Sequence, residues 1–338
     1  MGILRVTGSI DLDTFWPAGD CDADTTKMLV NVSAGGFEFQ AHARGPFVPT
    51  HAFDGARVRG SGLYPVLNKK GQVTIRLQGI DAPELHYYPA TLSAKAATDA
   101  QRTAHKAFYK EYRQRVAETA TLALTAKLRN LGGSPLVCTA ETRVDNPDDV
   151  FDTYGRFIGD IYVKRGLRRT NINNWLLREG WAFPAFYNSM TAYEIGEKIM
   201  ASATGRMMKG RLWTNFSKKL ETFEPKVLYR RKGAAPDPAA DTGPVIFPKL
   251  FRRQTTWWAR HKVGIVTGGF SAYLTGKATA SDRFLFTKDF LADPTSARQH
   301  KWEDILAKQA ITAEPEDLVF VEDTSKLLGA DNKPVLTW

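Results

Sequence analysis

The chain has 338 residues, 43% of them hydrophobic and 24% charged, which predicts about two domains and excludes a disordered chain. No apolar run approaches the roughly 18 residues of a membrane span, and two cysteines, Cys21 and Cys138, are too few for a disulfide framework or a cysteine zinc site. The net charge of +10 points to a polyanionic partner, of which nucleic acid is the commonest in a cell.

The opening Met1-Gly2-Ile3-Leu4-Arg5 lacks a signal peptide's apolar stretch, so the expected location is the cytoplasm. Residues 27–32 are predicted as a strand, Ser33-Ala34-Gly35-Gly36 as a turn, and 37–42 as the hairpin partner. Residues 72–78 are a further strand with Val73, Ile75 and Leu77 on one face and Arg76 on the other. Helical spacing runs through about 93–129 and stops at Leu131-Gly132-Gly133-Ser134-Pro135. Strands follow at 136–140 and 157–163, then a helix from Thr170 to Leu177 and another over about 192–212. The fold class expected is α+β, a five-stranded barrel with packed helices. Residues 233–242, made of Ala, Pro, Asp and Gly, read as a linker. It divides a domain at 1–232, which holds most of the basic excess, from a smaller α+β module at 243–338. In that module 301–310 is predicted as a short helix and 317–321 as a strand. Its aromatic and basic residues around Phe251, Arg252 and Trp257 fit an aromatic core with a basic rim, and a role in binding substrate or a protein partner.

Two stretches carry chemistry. In Arg76-Leu77-Gln78-Gly79-Ile80-Asp81-Ala82-Pro83-Glu84, a strand delivers an arginine and ends in a turn with two carboxylates, stiffened by Pro83. Paired carboxylates suit a hard cation and a general base, and the arginine suits a phosphate. The second stretch, Asp152-Thr153-Tyr154-Gly155-Arg156, is turn chemistry that hands Arg156 to a strand. The six histidines show no metal-ligand spacing. The Asp20-x-Asp22-x-Asp24 run fails as an EF-hand loop, with Thr25 where glycine is required and Asn31 in place of the bidentate glutamate.

With Leu176-x-x-Glu179-Gly180-Trp181-Ala182 and Lys209-Gly210-Arg211-Leu212-Trp213, these stretches make four motifs in order over about residues 5–216. The chain there resembles the staphylococcal nuclease (thermonuclease) family. The resemblance implies an oligonucleotide-binding barrel and a calcium-dependent endonuclease acting on DNA or RNA, with one Ca²⁺ ion. It implies that Arg76 and Arg156 hold the phosphodiester and stabilise its transition state, and that Glu84 is the general base. Asp81 and the carbonyl of Ala82 match calcium ligands. For the second aspartate Asp24, in Asp22-Ala23-Asp24-Thr25, is preferred over the stretch around Asp54, where Ala56 stands in the ligand's place. Tyr154 matches a tyrosine near the substrate phosphate, and Phe186 and Tyr187 fall where the family has tyrosines beside the nucleotide. The alternative is a degenerate member that binds nucleic acid or protein without cutting.

Overall fold

The computed structural model describes residues 1–34, 36–42, 44–208 and 210–338. Gly35 of the expected turn and Lys209 of the fourth motif lie outside the described residues.

Five strands make the barrel: β1 (Gly2–Ile10), β2 (Thr25–Val30), β3 (Gln72–Leu77), β4 (Leu136–Val144) and β5 (Phe157–Arg165). β1 pairs antiparallel with β2 and β4, β4 with β5, and β3 with β2, while β5 runs parallel to β3, so the ring closes. Closure removes the open edges that would otherwise template aggregation. Along β1 burial alternates strictly, with Leu4, Val6 and Ile10 fully inside beside Val73, Ile75 and Phe157. Burying each such side chain contributes roughly 1.5–3 kcal/mol. Helices α1 (Ala117–Leu131), α2 (Ile172–Arg178) and α3 (Ala192–Met207) pack around the barrel.

Several expectations change. Residues 27–32 and 37–42 are not hairpin partners: β1, whose alternation sequence reading passed over, lies between them and pairs with both. The long helix at 93–129 splits into Asp99–His105 and α1. Between them the backbone is committed elsewhere, since the Tyr112, Arg113 and Gln114 N–H groups donate to Tyr87, Val227 and Glu84 carbonyls. Asn171, not Thr170, caps α2 through its side chain. The helix at 192–212 ends at Met207 and a separate turn follows at Leu212–Asn215. The helix at 301–310 is instead a 3₁₀ turn, Trp302–Ile305, and a tight hairpin. There Lys308 and Gln309 both take positive φ, +47° and +63°, as a two-residue hairpin loop demands.

Residues 243–338 are woven into the barrel domain. Helix α4 (Pro248–Lys262) precedes strands β6 (Phe284–Phe286) and β7 (Leu318–Phe320). β7 pairs with β6 and with Phe186–Tyr187 of the barrel domain. Lys326–Leu328 pairs with Arg57–Arg59 in the insertion between β2 and β3. The 233–242 segment is docked as well. Asp241 is buried, pairs with Arg113 Nη1 at 2.5 Å and accepts the Thr119 N–H at 2.8 Å and its hydroxyl at 2.7 Å near the start of α1. Asp241→Asn is expected to cost about 2 kcal/mol, the scale of hydrogen bonds to a charged group; urea unfolding reads it.

Candidate active site

β3 and its following turn position the first half of the site. Gly79 takes φ +73°, a conformation that favours glycine, and a Cβ there would stand 2.9 Å from Lys198 Cγ. The turn is fixed from below by the buried Asn173 of α2, whose Nδ2 donates to the Gln78 carbonyl at 2.9 Å and the Gly159 carbonyl at 3.2 Å. Ile80–Asp81 then pairs with Phe183–Pro184, which sets Asp81 at the rim. Beyond Pro83, the Glu84 N–H donates to Gln114 Oε1 at 2.9 Å, and Gln114 Nε2 donates to the Ile246 carbonyl at 2.8 Å.

The second half comes from the β2 and β5 entries. Thr25 lies opposite Arg76 across β2–β3, and Ile158 beside Arg76 across β3–β5. Asp152 builds the turn before β5. Its Oδ1 accepts the Tyr154 and Arg156 N–H groups, each at 2.9 Å, and its Oδ2 accepts Arg156 Nε at 2.7 Å. Gly155, at φ +76°, lets the chain reverse.

The side chains form one connected chain. Arg156 Nη1 reaches Thr25 Oγ1 at 3.5 Å, and that hydroxyl donates to Asp24 Oδ1 at 3.1 Å. Asp24 also pairs with Arg76 Nη1 and accepts the Ala82 N–H on Oδ2 at 2.8 Å. Arg76 Nη2 donates to Asp81 Oδ1 at 2.6 Å. Arg252, from α4, donates to Asp81 Oδ2 at 3.1 Å and to Glu84. Asp24 and Asp81 are buried, whereas the Arg156, Arg252 and Arg76 side chains keep 29%, 25% and 14% exposure. The acids are therefore shielded, and the arginine side chains stay partly open to solvent.

Burial pushes the Glu84 carboxyl up; Arg252 opposes this, but Asp81 and Asp24 add to it, and the net shift is upward. Burial also pushes Asp81 up, yet Arg252 and Arg76 outweigh it and hold that carboxyl below the usual range. Asp22, beside them, is raised well above the ordinary value by burial and by the charges of Asp24 and Glu84.

Of the expected site residues, Arg76, Asp81, Ala82, Glu84, Asp24 and Arg156 come together. Ala56 is buried in the core and Asp54 is an exposed partner of His51, so neither reaches the site. Tyr154 is exposed and its ring lies 5.6 Å from the Arg156 guanidinium carbon. Tyr187 is half-buried, and its hydroxyl is raised by burial and by Asp81. Phe186, expected beside the nucleotide, is fully buried with Met190, Ile195 and Val319 instead, because the strand pairing with β7 turns it inward. Arg252 was missed, and no local pattern ties residue 252 to residues 81 and 84. A cavity of about 700 Å³ adjoins the site, with Gln78, Asp152, Ile158 and Asn188 among its lining residues.

The donors available to a cation are all oxygen: the Asp22, Asp24 and Asp81 carboxylates and the Ala82 carbonyl. That set suits a hard ion such as Ca²⁺. Asp22 Oδ1 is buried without a hydrogen-bond partner, an oxygen acceptor that a bound cation would satisfy. By this chemistry the residues fit calcium. Among the described residues, however, no cluster of three or more His, Cys, Asp or Glu side chains forms a ready-made cage, since guanidinium groups already hold Asp24 and Asp81.

No helix among the described residues is long and apolar enough to cross a membrane. No curated protein matches the chain. The model of the staphylococcal nuclease homologue family matches residues 74–215. The match begins inside β3, after the 41 residues that separate β2 from β3, so β1, β2 and Asp24 complete the barrel and the site from outside it. The closed barrel and the family match agree: the chain carries a staphylococcal nuclease homologue domain at residues 74–215.

Proposed function

We propose that the protein is a calcium-dependent phosphodiesterase that hydrolyses DNA or RNA. One observation carries the reading. Two arginines and the acids Asp24, Asp81 and Glu84, from distant parts of the chain, are linked side by side at the barrel rim with the guanidinium groups partly open to solvent. A phosphodiester is anionic and resists water, so its hydrolysis needs charge neutralisation and a base. Arg76 and Arg156 supply fixed positive charge where negative charge grows on the phosphoryl oxygens. Asp152 aims Arg156, and Asp24 and Asp81 aim Arg76. Glu84 takes the proton of the attacking water, and its raised carboxyl makes it a better base than an ordinary glutamate. Asp24, Asp81 and the Ala82 carbonyl would hold calcium, which when bound adds Lewis-acid stabilisation. The cavity beside Asp152 gives room for the nucleoside, with Tyr154 and Tyr187 on the approach.

The hold of Arg252 on both Asp81 and Glu84 favours a second reading, a site that binds nucleic acid without cutting it. Incubation of the full chain with single- and double-stranded DNA and with RNA separates the two. Cleavage in Ca²⁺ that stops on chelation is the expected result. Binding with no cleavage of any substrate would establish the second reading.

A further inference from the structure

Arg252 lies in the first turns of α4. Its neighbours on that helix are fixed: Leu250, Phe251, Gln254 and Thr255 are buried, and Arg253 is locked on Asp282, which also accepts Trp302 Nε1 at 3.0 Å. Arg252 alone of this group turns to the rim, where it shares one carboxylate with Arg76. Arg76 holds Asp81 Oδ1 at 2.6 Å, and Arg252 holds Oδ2 at 3.1 Å and reaches Oδ1 at 3.4 Å. The two guanidinium groups thus stand a carboxylate's width apart. A phosphate bound at Arg76 would therefore lie beside Arg252, because both hold the same carboxylate.

The local charge favours that placement. Lys249, one turn earlier, makes no ion pair or hydrogen bond among the described residues; its ammonium sits 4.1 Å from the Phe320 ring centroid. Burial brings its pKa down to about 8; Asp282 opposes the shift, while Arg252 and Arg253 reinforce it. Lys249 therefore adds a positive charge without an ion pair beside Arg252, whereas Arg252 is held by Asp81 and Glu84 and Arg253 by Asp282. Guanidinium binds carboxylate and phosphate through the same planar fork.

We propose that Arg252 is a substrate-binding residue supplied by the C-terminal segment: the counter-ion of Asp81 and Glu84 in the free protein, and a ligand of the nucleic-acid phosphodiester once substrate enters. This rests on the reading that Arg76 faces the phosphate. It makes residues 243–338 part of the active site.

The test uses the full chain and a labelled single-stranded DNA in chelator, where binding is read by anisotropy across a salt series. Arg252→Gln is expected to weaken binding about tenfold and to make the slope of log K against log salt shallower by about 0.7, one phosphate contact fewer. Arg252→Lys is expected to keep the wild-type slope. Calorimetric titration with Ca²⁺ in the absence of DNA is the second readout. Removing a like charge beside Asp81 is expected to tighten calcium binding about fivefold, the effect of one charge at roughly 4 Å in water. Wild-type DNA affinity and slope in Arg252→Gln would overturn the proposal. So would parallel weakening of both ligands with a lowered melting temperature, the mark of a structural role. If the wild type binds DNA through Arg252 but never cuts, the hydrolytic reading fails and this inference stands.

Discussion

Glu84→Gln is expected to lower the rate of nucleic-acid cleavage by about 10²–10⁴, the usual scale for loss of a general base, while DNA binding in chelator persists. The substitution keeps the shape of the side chain and its backbone anchorage on Gln114, and it removes the carboxylate charge and with it the ability to take a proton. Because Glu84 is one of two acids that hold Arg252, the variant also frees that guanidinium from half of its pairing. Ground-state binding should therefore be equal to the wild type or tighter, which separates a catalytic loss from a folding defect. Single-turnover cleavage with a melting curve alongside measures both. Equal cutting by the variant would reject Glu84 as base.

Lys198→Met is expected to be the most destabilising single change, by about 3–5 kcal/mol, the scale of an ion pair broken in the interior. Lys198 is 1% exposed, and its ammonium donates to both Asp160 oxygens at 2.8 and 2.7 Å and to Asn174 Oδ1 at 2.9 Å. Without it, among the described residues, the Asp160 carboxylate keeps only the Asn171 amide donor, at 2.8 Å. The same side chain packs against the Gly79 turn that delivers Asp81, so stability and site geometry share one support. Denaturant unfolding should show the loss, and a compensating Asp160→Leu in the same chain should restore part of it, because an apolar pair leaves no charge stranded.

How far the sequence could be read follows from where the information lies. Arg76, Asp81 and Glu84 sit within nine residues, on a strand and a proline-stiffened turn, and local chemistry suffices to find them. Asp152 and Arg156 are legible for the same reason, since an Asx turn satisfies its own backbone. The sequence favours Asp24 over the Asp54 stretch, but its place beside Arg76 follows from the pairing of β2 with β3, because a long insertion separates the two in sequence. Strand β1 alternates as cleanly as any other, yet its role between β2 and the 37–40 strand is a matter of long-range pairing. Arg252 is the extreme case. Its contact with Glu84 spans 168 residues, and in sequence it is one of two adjacent arginines on an amphipathic helix. The split of 93–129 into two helices was hidden similarly: its residues favour helix, but the 112–114 backbone is claimed by partners on other segments.

The central claim is that Arg76 and Arg156 address one phosphate, with Glu84 beside it. A crystal structure of the Glu84→Gln protein with Ca²⁺ and a short single-stranded DNA measures this most directly. The account requires a single phosphodiester within hydrogen-bond reach of both guanidinium groups, with the residue 84 side chain facing a water in line with the phosphorus. DNA seated on another face, or a phosphate touched by one arginine and remote from the other, would contradict it.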